Sequence, residues 1–449
     1  MKRRDFVKTC GTGLGLAMIL ENAASVYAAP ANERLNMALI GCGDRSGMLT
    51  DDFLRREPND VRFLYAVDPQ QDRAERGAKR ISRDGVNAQA IQDARRVFDD
   101  PEIHAVVLVT PDQWHALHTI QACQAGKDVY VEKPLSRTPF EGEQMIRAAR
   151  KYKRVVQVGT QSRSAAYCES ARQYIADGKL GDVDFCRVYN MLDRSGPASI
   201  EKGKTPPETL NWDIWTGPSV LHDYSPTYLF GWKWFWEYGT GQLGLSAVHQ
   251  LDIARWILGL KTPKMVFSTG HQDRYTTGRN IPDTQATILD FGKTIVNVDQ
   301  SLTKPYMLEV DWEVRNGDMF PYWTQNATHI EVYGTKGLMM IARLGAGWQV
   351  FVRTKNRQPV VKAQEYGRYT NVAHVNNFID CIRSRNEPAG TVENGHLSTM
   401  LVHYANISYR LGSVKLEIDQ ATGKILNCPE AAPLWRPQFR KEYDIPEIG

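Results

Sequence analysis

The stretch from Asn36 to Gly41 (NMALIG) is a short apolar β run that breaks off into Gly41-Cys42-Gly43-Asp44-Arg45-Ser46-Gly47 and resumes as a helix-compatible stretch over 48–56. Strand, glycine turn and helix, in that order, constrain the fold more than anything else in the chain. Glycine at the first two positions permits a tight turn and lets backbone N–H groups approach a pyrophosphate at the helix N-terminus. The third glycine of that pattern is displaced: Ser46 holds its place and Gly47 follows. The next β run, 61–67 (VRFLYAV), ends at Asp68, about twenty residues beyond the turn, where a carboxylate accepts hydrogen bonds from adenosine ribose hydroxyls. A carboxylate there repels a 2′-phosphate, so the expected cofactor is NAD rather than NADP. Asp68 also precedes Pro69 as a turn residue would, and Arg73 stands nearby.

The rhythm continues, with strands expected at 104–110, 128–132 and 155–158 and helices at 114–125 and 140–152. Alternating strands and helices with short joints imply a doubly wound parallel sheet, a Rossmann domain over 35–160. Its strand ends line one crevice. The expected dinucleotide contacts are therefore Gly41, Gly43, Asp44, Arg45, Ser46, Asp68, Thr110, Pro111, Trp114, His115, Glu132, Lys133 and Gln161.

Two residues invite a chemical reading. Lys133 ends a buried strand at the crevice before Pro134, and a desolvated lysine there has a lowered pKa suited to a general base. The plain alternative is a strand-end lysine pairing with a cofactor ribose or with Glu132. His249 falls in the first turn of an apolar helix over 245–260, with Ser246 as candidate N-cap and Asp252 three residues on to orient the ring. The helix dipole disfavours the imidazolium. A core histidine is the competing reading. Asp112, His115 and His118 share a helical face, but no further ligand is spaced to complete a metal site, and none is expected.

The remaining features bound the class. Residues 2–8 (KRRDFVK), the mildly apolar run 11–20 and Val26-Tyr27-Ala28 resemble a twin-arginine leader with its cleavage site, which predicts export to the periplasm with the mature chain starting near Ala29. The apolar run is too short to anchor the chain in a bilayer. Lys+Arg 55 against Asp+Glu 51 gives +4; within 1–28 four basic residues less two acidic ones contribute +2. So weak a field excludes nucleic acid as a partner and favours a small ligand. Seven scattered cysteines form neither zinc pairs nor a disulfide scaffold. Between Asn211 and Tyr238 five Trp, three Tyr and two Phe are broken by Gly and Pro, an ordered aromatic loop in which one or two rings meet the C–H face of a sugar.

Taken together, the glycine turn, TPDQWHALHTIQACQAGKDVYVEKPLS (110–136), VGTQSRS (158–164), GQLGLSAVHQLDIARWILG (241–259), YGTKG (333–337) and HVNNFIDCIRSRNEP (374–388) resemble the Gfo/Idh/MocA oxidoreductases. The resemblance implies α/β architecture: an N-terminal Rossmann domain, then a C-terminal α+β domain over 161–412 with a large open antiparallel sheet. It also implies tightly held NAD and a homo-oligomer formed through the exposed sheet face. β-rich runs at 182–191, 263–269, 284–291, 294–300, 328–333 and 348–353 fit that sheet, helices are expected near 371–385 and 395–411, and 413–449 reads as a tail. By position, Lys133 becomes the catalytic lysine and His249 its assistant, with substrate contacts from Arg163, Trp234, Trp236, His249 and Asp252. Leu245 stands where many family members carry an aspartate four residues before the histidine. The reading that follows is an exported NAD-dependent oxidoreductase of a sugar hydroxyl, its cofactor retained and recycled. A redox-neutral NAD-dependent glycosidase and a non-catalytic sugar-binding protein are the alternatives.

Overall fold

The computed structural model describes residues 34–56, 60–192, 199–272, 278–302, 328–343, 345–368 and 371–449. The leader lies outside the described residues. The first domain runs β1 (Leu35–Ile40), α1 (Asp44–Leu54), β2 (Val61–Val67), α2 (Gln71–Ile81), β3 (Gln89–Ile91), α3 (Arg95–Asp99), β4 (Ala105–Leu108), α4 (His115–Gln124), β5 (Asp128–Val131), α5 (Pro139–Lys151) and β6 (Val156–Val158). Its strands are all parallel, in the order β3-β2-β1-β4-β5-β6. β1, β4 and β5 are buried at every position, as strands covered by helices on both faces must be. The strand order reverses between β1 and β4, and the crevice beyond their C-terminal ends is where such sheets bind ligands.

The second domain comprises α6 (Ala166–Ala176), β7 (Val183–Met191), α7 (Trp212–Thr216), α8 (Pro226–Gly231), α9 (Val248–Ile257), β8 (Met265–His271), β9 (Thr284–Asp290), β10 (Ile295–Ser301), β11 (His329–Gly334), β12 (Gly337–Ala342), β13 (Trp348–Arg353), β14 (Pro359–Glu365), α10 (Asn371–Ser384), α11 (Val392–Arg410), β15 (Leu416–Glu417) and α12 (Ala432–Trp435). Among the described residues nine strands form one sheet in the order β14-β13-β12-β11-β7-β10-β9-β8-β15. It is antiparallel except where β7 and β10 run parallel, so the sheet is mixed. One face, carrying Cys186, Val188, Leu289, Val298 and Val332, packs under α6, α9 and α11. The other presents Phe185, Arg187, Tyr189 and the exposed Ile288 and Ile295. Among the described residues no helix is long and apolar enough to cross a membrane.

The expected tail is ordered. β15 extends the large sheet, and the chain then crosses to the nucleotide domain, where Ile445 (0% exposed) and Ile448 (4%) join the core with Phe140 and Met145. The Ile448 N–H donates to Gln144 Oε1 at 2.8 Å.

Candidate functional site

A cleft of about 380 Å³ opens at the strand-order reversal, lined on one side by the glycine turn, Asp68, Thr110-Pro111 and Glu132-Lys133, and on the other by Ile214, Trp215, Phe230, Trp232 and Leu245. Gly41 has φ +94°, and a Cβ there would fall 2.5 Å from the Val109 carbonyl oxygen, so both backbone and space demand glycine. At Gly43 the first atom a Cβ would meet is an Arg73 guanidinium nitrogen at 4.0 Å, which leaves this backbone open to the cleft. Gly43 is also the N-cap of α1 and offers no side chain to its first N–H groups, which suits an incoming phosphate. Ser46, in place of the third glycine, turns its hydroxyl back onto the Gly43 carbonyl at 2.6 Å.

Asp68 takes the turn role foreseen for it and also lines the cleft. Oδ2 accepts from the Cys42 N–H and Oδ1 from the Gln70 N–H, each at 2.9 Å, so the carboxylate ties the glycine turn to the turn after β2. Its remaining lone pairs are there to accept from the hydroxyls of a ribose, were one bound. The residues present fit a dinucleotide: pyrophosphate on the glycine turn, adenosine ribose at Asp68, and nicotinamide toward Lys133.

At the nicotinamide end, Lys133 Nζ donates to the Leu245 carbonyl at 2.7 Å. Burial pulls its pKa from the ordinary lysine range down to about 8, against the opposing effect of Glu132 and Asp112. Beside it, Glu132 accepts from Arg45 Nε at 3.0 Å, from Gln161 Nε2 at 3.1 Å and from the Lys133 N–H at 3.2 Å. Burial would raise its pKa, but Arg45 and Lys133 hold it below the usual carboxylate value. Glu132 and Gln161 therefore serve as supports beneath Lys133. His115 directs Nδ1 to the Pro134 carbonyl at 2.7 Å and Nε2 to the Thr110 carbonyl at 3.1 Å, clamping the two cleft turns together. Its contribution to the nucleotide site is positional. His118 stacks on Trp114 at 4.2 Å, so the face that invited a metal reading is a packing face.

His249 lies behind the cleft lining in α9, near enough to Lys133 and Arg343 for their charges to act on it. Burial first, then those cations, push its pKa well below the ordinary histidine value, so the ring is neutral across the physiological range. Ser246 is not the cap of α9. It sits in a π-helical turn over Leu243–Ala247, donating to Asn190 Oδ1 at 2.9 Å. That turn presents the Leu245 carbonyl to Lys133.

Several expected substrate contacts lie elsewhere. Asp252 does not orient His249. Arg163 Nε lies 3.1 and 2.9 Å from its two oxygens and Nη2 at 2.8 Å from one, and Ser398 donates at 2.6 Å, a buried pair under the helices. Trp234 is 2% exposed in the aromatic core, with Arg279 stacked 4.9 Å over it. Trp236 faces a separate crevice beneath Arg410. The rings that reach the cleft are Trp215, Phe230 and Trp232, in a loop whose lack of period gave no means of telling inward from outward positions.

One acidic residue of the site was read only as a discarded metal ligand. Asp112, 3% exposed and lining the cleft, accepts from the Thr240 N–H at 3.1 Å and hydroxyl at 2.8 Å. Its charge acts on Lys133, and burial raises its pKa against the effect of His115, Thr240 and Lys133.

Two family models match this chain: an oxidoreductase family with an NAD-binding Rossmann fold over residues 35–160, and the C-terminal alpha/beta domain of the same family over 208–414. The chain belongs to the Gfo/Idh/MocA oxidoreductases. Among relatives, scyllo-inositol 2-dehydrogenase (NAD(+)) of Bacillus subtilis is 24% identical over 369 residues, covering 80% of this chain and 90% of that protein. Levoglucosan dehydrogenase of Pseudarthrobacter phenanthrenivorans is 30% identical over 167 residues, 37% of this chain and 36% of the relative, so that match spans about a third of either protein. A solved levoglucosan dehydrogenase, in complex with NADH and levoglucosan, shares the fold at TM-score 0.63 and 19% identity, covering 86% of this chain and 100% of that one. The family's first domain binds NAD, and NAD is the cofactor of this chain.

Proposed function

We propose that the protein oxidises a hydroxyl of a sugar or sugar derivative, with Lys133 taking the hydroxyl proton. The observation that carries this reading is the Lys133 amine, held on the Leu245 carbonyl at the nicotinamide end of the cleft with a pKa near 8. NAD, when bound, supplies the hydride acceptor. The proton needs a separate acceptor, and a lysine that loses its own proton near neutral pH supplies one. His249, neutral behind the cleft lining, adds no competing positive charge beside Lys133, and Asp112, anchored by Thr240, balances the charge that Lys133 gains. Trp232 and Phe230 offer apolar faces to sugar C–H groups. Purified protein given NAD and a panel of sugars, glycosides and inositols should produce NADH in proportion to ketone. Release of free aglycone without net NADH would replace this reading with redox-neutral glycoside cleavage.

We further propose that the protein is exported with the dinucleotide bound, since the leader motif addresses a pathway that carries folded proteins and free NAD is not at hand outside the cytoplasm. Replacing Arg3 and Arg4 together by lysine should trap the chain in the cytoplasm, and protein denatured after purification should release about one NAD(H) per chain. The open face of the large sheet, with Ile288 and Ile295 exposed, is the surface on which a second copy would pack. Light scattering of the Ile288→Glu variant against the parent chain tests that assembly.

A further inference from the structure

The glycine turn and Asp68 fix the direction in which a dinucleotide lies, its adenosine half running from Asp68 toward the residues that follow β3. The cleft wall there is shared by Arg95, Trp114 and His118 of the nucleotide domain and by Ile214, Glu442 and Tyr443, which arrive from distant parts of the chain. We propose that the segment 436–448 belongs to the dinucleotide site, with Tyr443 closing its adenosine end and slowing release of the cofactor.

Tyr443 is held in place from several directions. Its hydroxyl donates to Asp213 Oδ2 at 2.8 Å, and its ring meets Trp114 edge-on at 5.5 Å. Arg440 binds the Asp213 carboxylate and the Gly217 carbonyl, the latter at 3.2 Å, and lies 5.0 Å over the Tyr443 ring. Downstream, Ile445 and Ile448 sit in the core of the nucleotide domain, so the segment is pinned on both sides of Tyr443. Trp114 completes the arrangement. It stacks on His118, donates from Nε1 to the Trp215 carbonyl at 3.1 Å, and lies against Gly217, where an added Cβ would fall 2.4 Å from the indole. Tyr443, Trp114 and His118 thus line the adenosine end with aromatic surface of the kind that receives a planar base. Glu442 adds a hydrogen-bond acceptor at the same wall.

The proposal rests on NAD binding by the nucleotide domain and is independent of the sugar chemistry. The test uses the full chain loaded with NADH, following dissociation by the loss of tryptophan-to-nicotinamide energy transfer during a chase with excess NAD. Tyr443→Ala should release NADH roughly tenfold faster, the effect of losing one hydrogen-bonded aromatic contact. Asp213→Ala, which removes the carboxylate that both Tyr443 and Arg440 bind, should do so by a similar factor. Both leave Ile445 and Ile448 seated, so the fold is kept. Affinity for reduced nicotinamide mononucleotide, which lacks the adenosine, should stay unchanged in both. Release from Tyr443→Ala within twofold of the parent would overturn the proposal. So would equal weakening of the mononucleotide, which would mark a general loss of support rather than a contact at adenosine. A parent chain that binds the mononucleotide as well as NADH would overturn it too, whereas one that binds neither would remove the cofactor assignment itself.

Discussion

At the nicotinamide end of the cleft, Lys133, Glu132 and Asp112 are charged groups held by backbone atoms and by one another, each at the end of a parallel strand or in the turn that follows. At the adenosine end the wall is aromatic and assembled from α4, α7 and the segment 436–448. The first end is polar and desolvated, which is what shifts a lysine pKa. The second is aromatic and composite, which suits a planar base. The proposed chemistry and the proposed retention therefore fall at different ends of the cleft, and mutations should separate them.

The sharpest break is Lys133→Ala. Turnover should fall by about a thousandfold or more, the usual loss on removing a positioned acid–base group, while NADH affinity measured by fluorescence titration stays within a few-fold. Parallel loss of both would mean that the two ends are one unit.

Next in size is a change in stability rather than rate. Asp252→Asn removes the charge that pairs with Arg163 and strands a buried guanidinium, which should cost about 3 kcal/mol in denaturant unfolding. If kcat instead falls with stability unchanged, the pair belongs to the substrate site after all.

Asp112→Asn should lower kcat by roughly tenfold and also move the pH profile. Lys133 is active as a base only when neutral, so oxidation rises with pH through about 8. Asp112 raises the lysine pKa, hence its neutralisation shifts that rising limb to lower pH. A limb that stays in place would separate Asp112 from Lys133.

The smallest expected effect is at Asp68. Asp68→Ser should narrow the preference for NAD over NADP by roughly tenfold, through the lost ribose contacts and the relieved repulsion. Serine keeps at most one of the two backbone hydrogen bonds, so a modest loss of stability should accompany it. Competition of the two dinucleotides for apo protein reads the first effect and thermal unfolding the second.

This contrast also separates what the sequence made legible from what it did not. The nicotinamide end is written in contiguous motifs, because a residue's place at the end of a parallel strand is a local property; Lys133 and Glu132 sit where the strand rhythm puts them. Asp112 was in view, but its partner Thr240 is 128 residues away, and nothing local distinguishes an anchored carboxylate from a turn residue. The outer wall of the adenosine end, where Asp213 and Tyr443 meet Trp114, depends on such distant contacts. Strands were missed for local reasons. β3 has three residues, β12 (GLMMIA) lacks alternation, and β14 begins at a proline on an exposed edge. The π-helical turn that offers the Leu245 carbonyl to Lys133 has no sequence signature, and at this position it is the backbone that meets the lysine.

The cleft takes its residues from Gly41 at one extreme of the described chain and Tyr443 at the other, and this has a consequence in time. With roughly 400 residues between them and synthesis at about 5–20 residues per second, the adenosine wall is completed some 20–80 s after the glycine turn has been made. On the proposal that Tyr443 closes the adenosine end, a nascent chain offers NAD a phosphate cradle without its outer wall until then, and a dinucleotide bound early would exchange freely until the segment 436–448 packs against it.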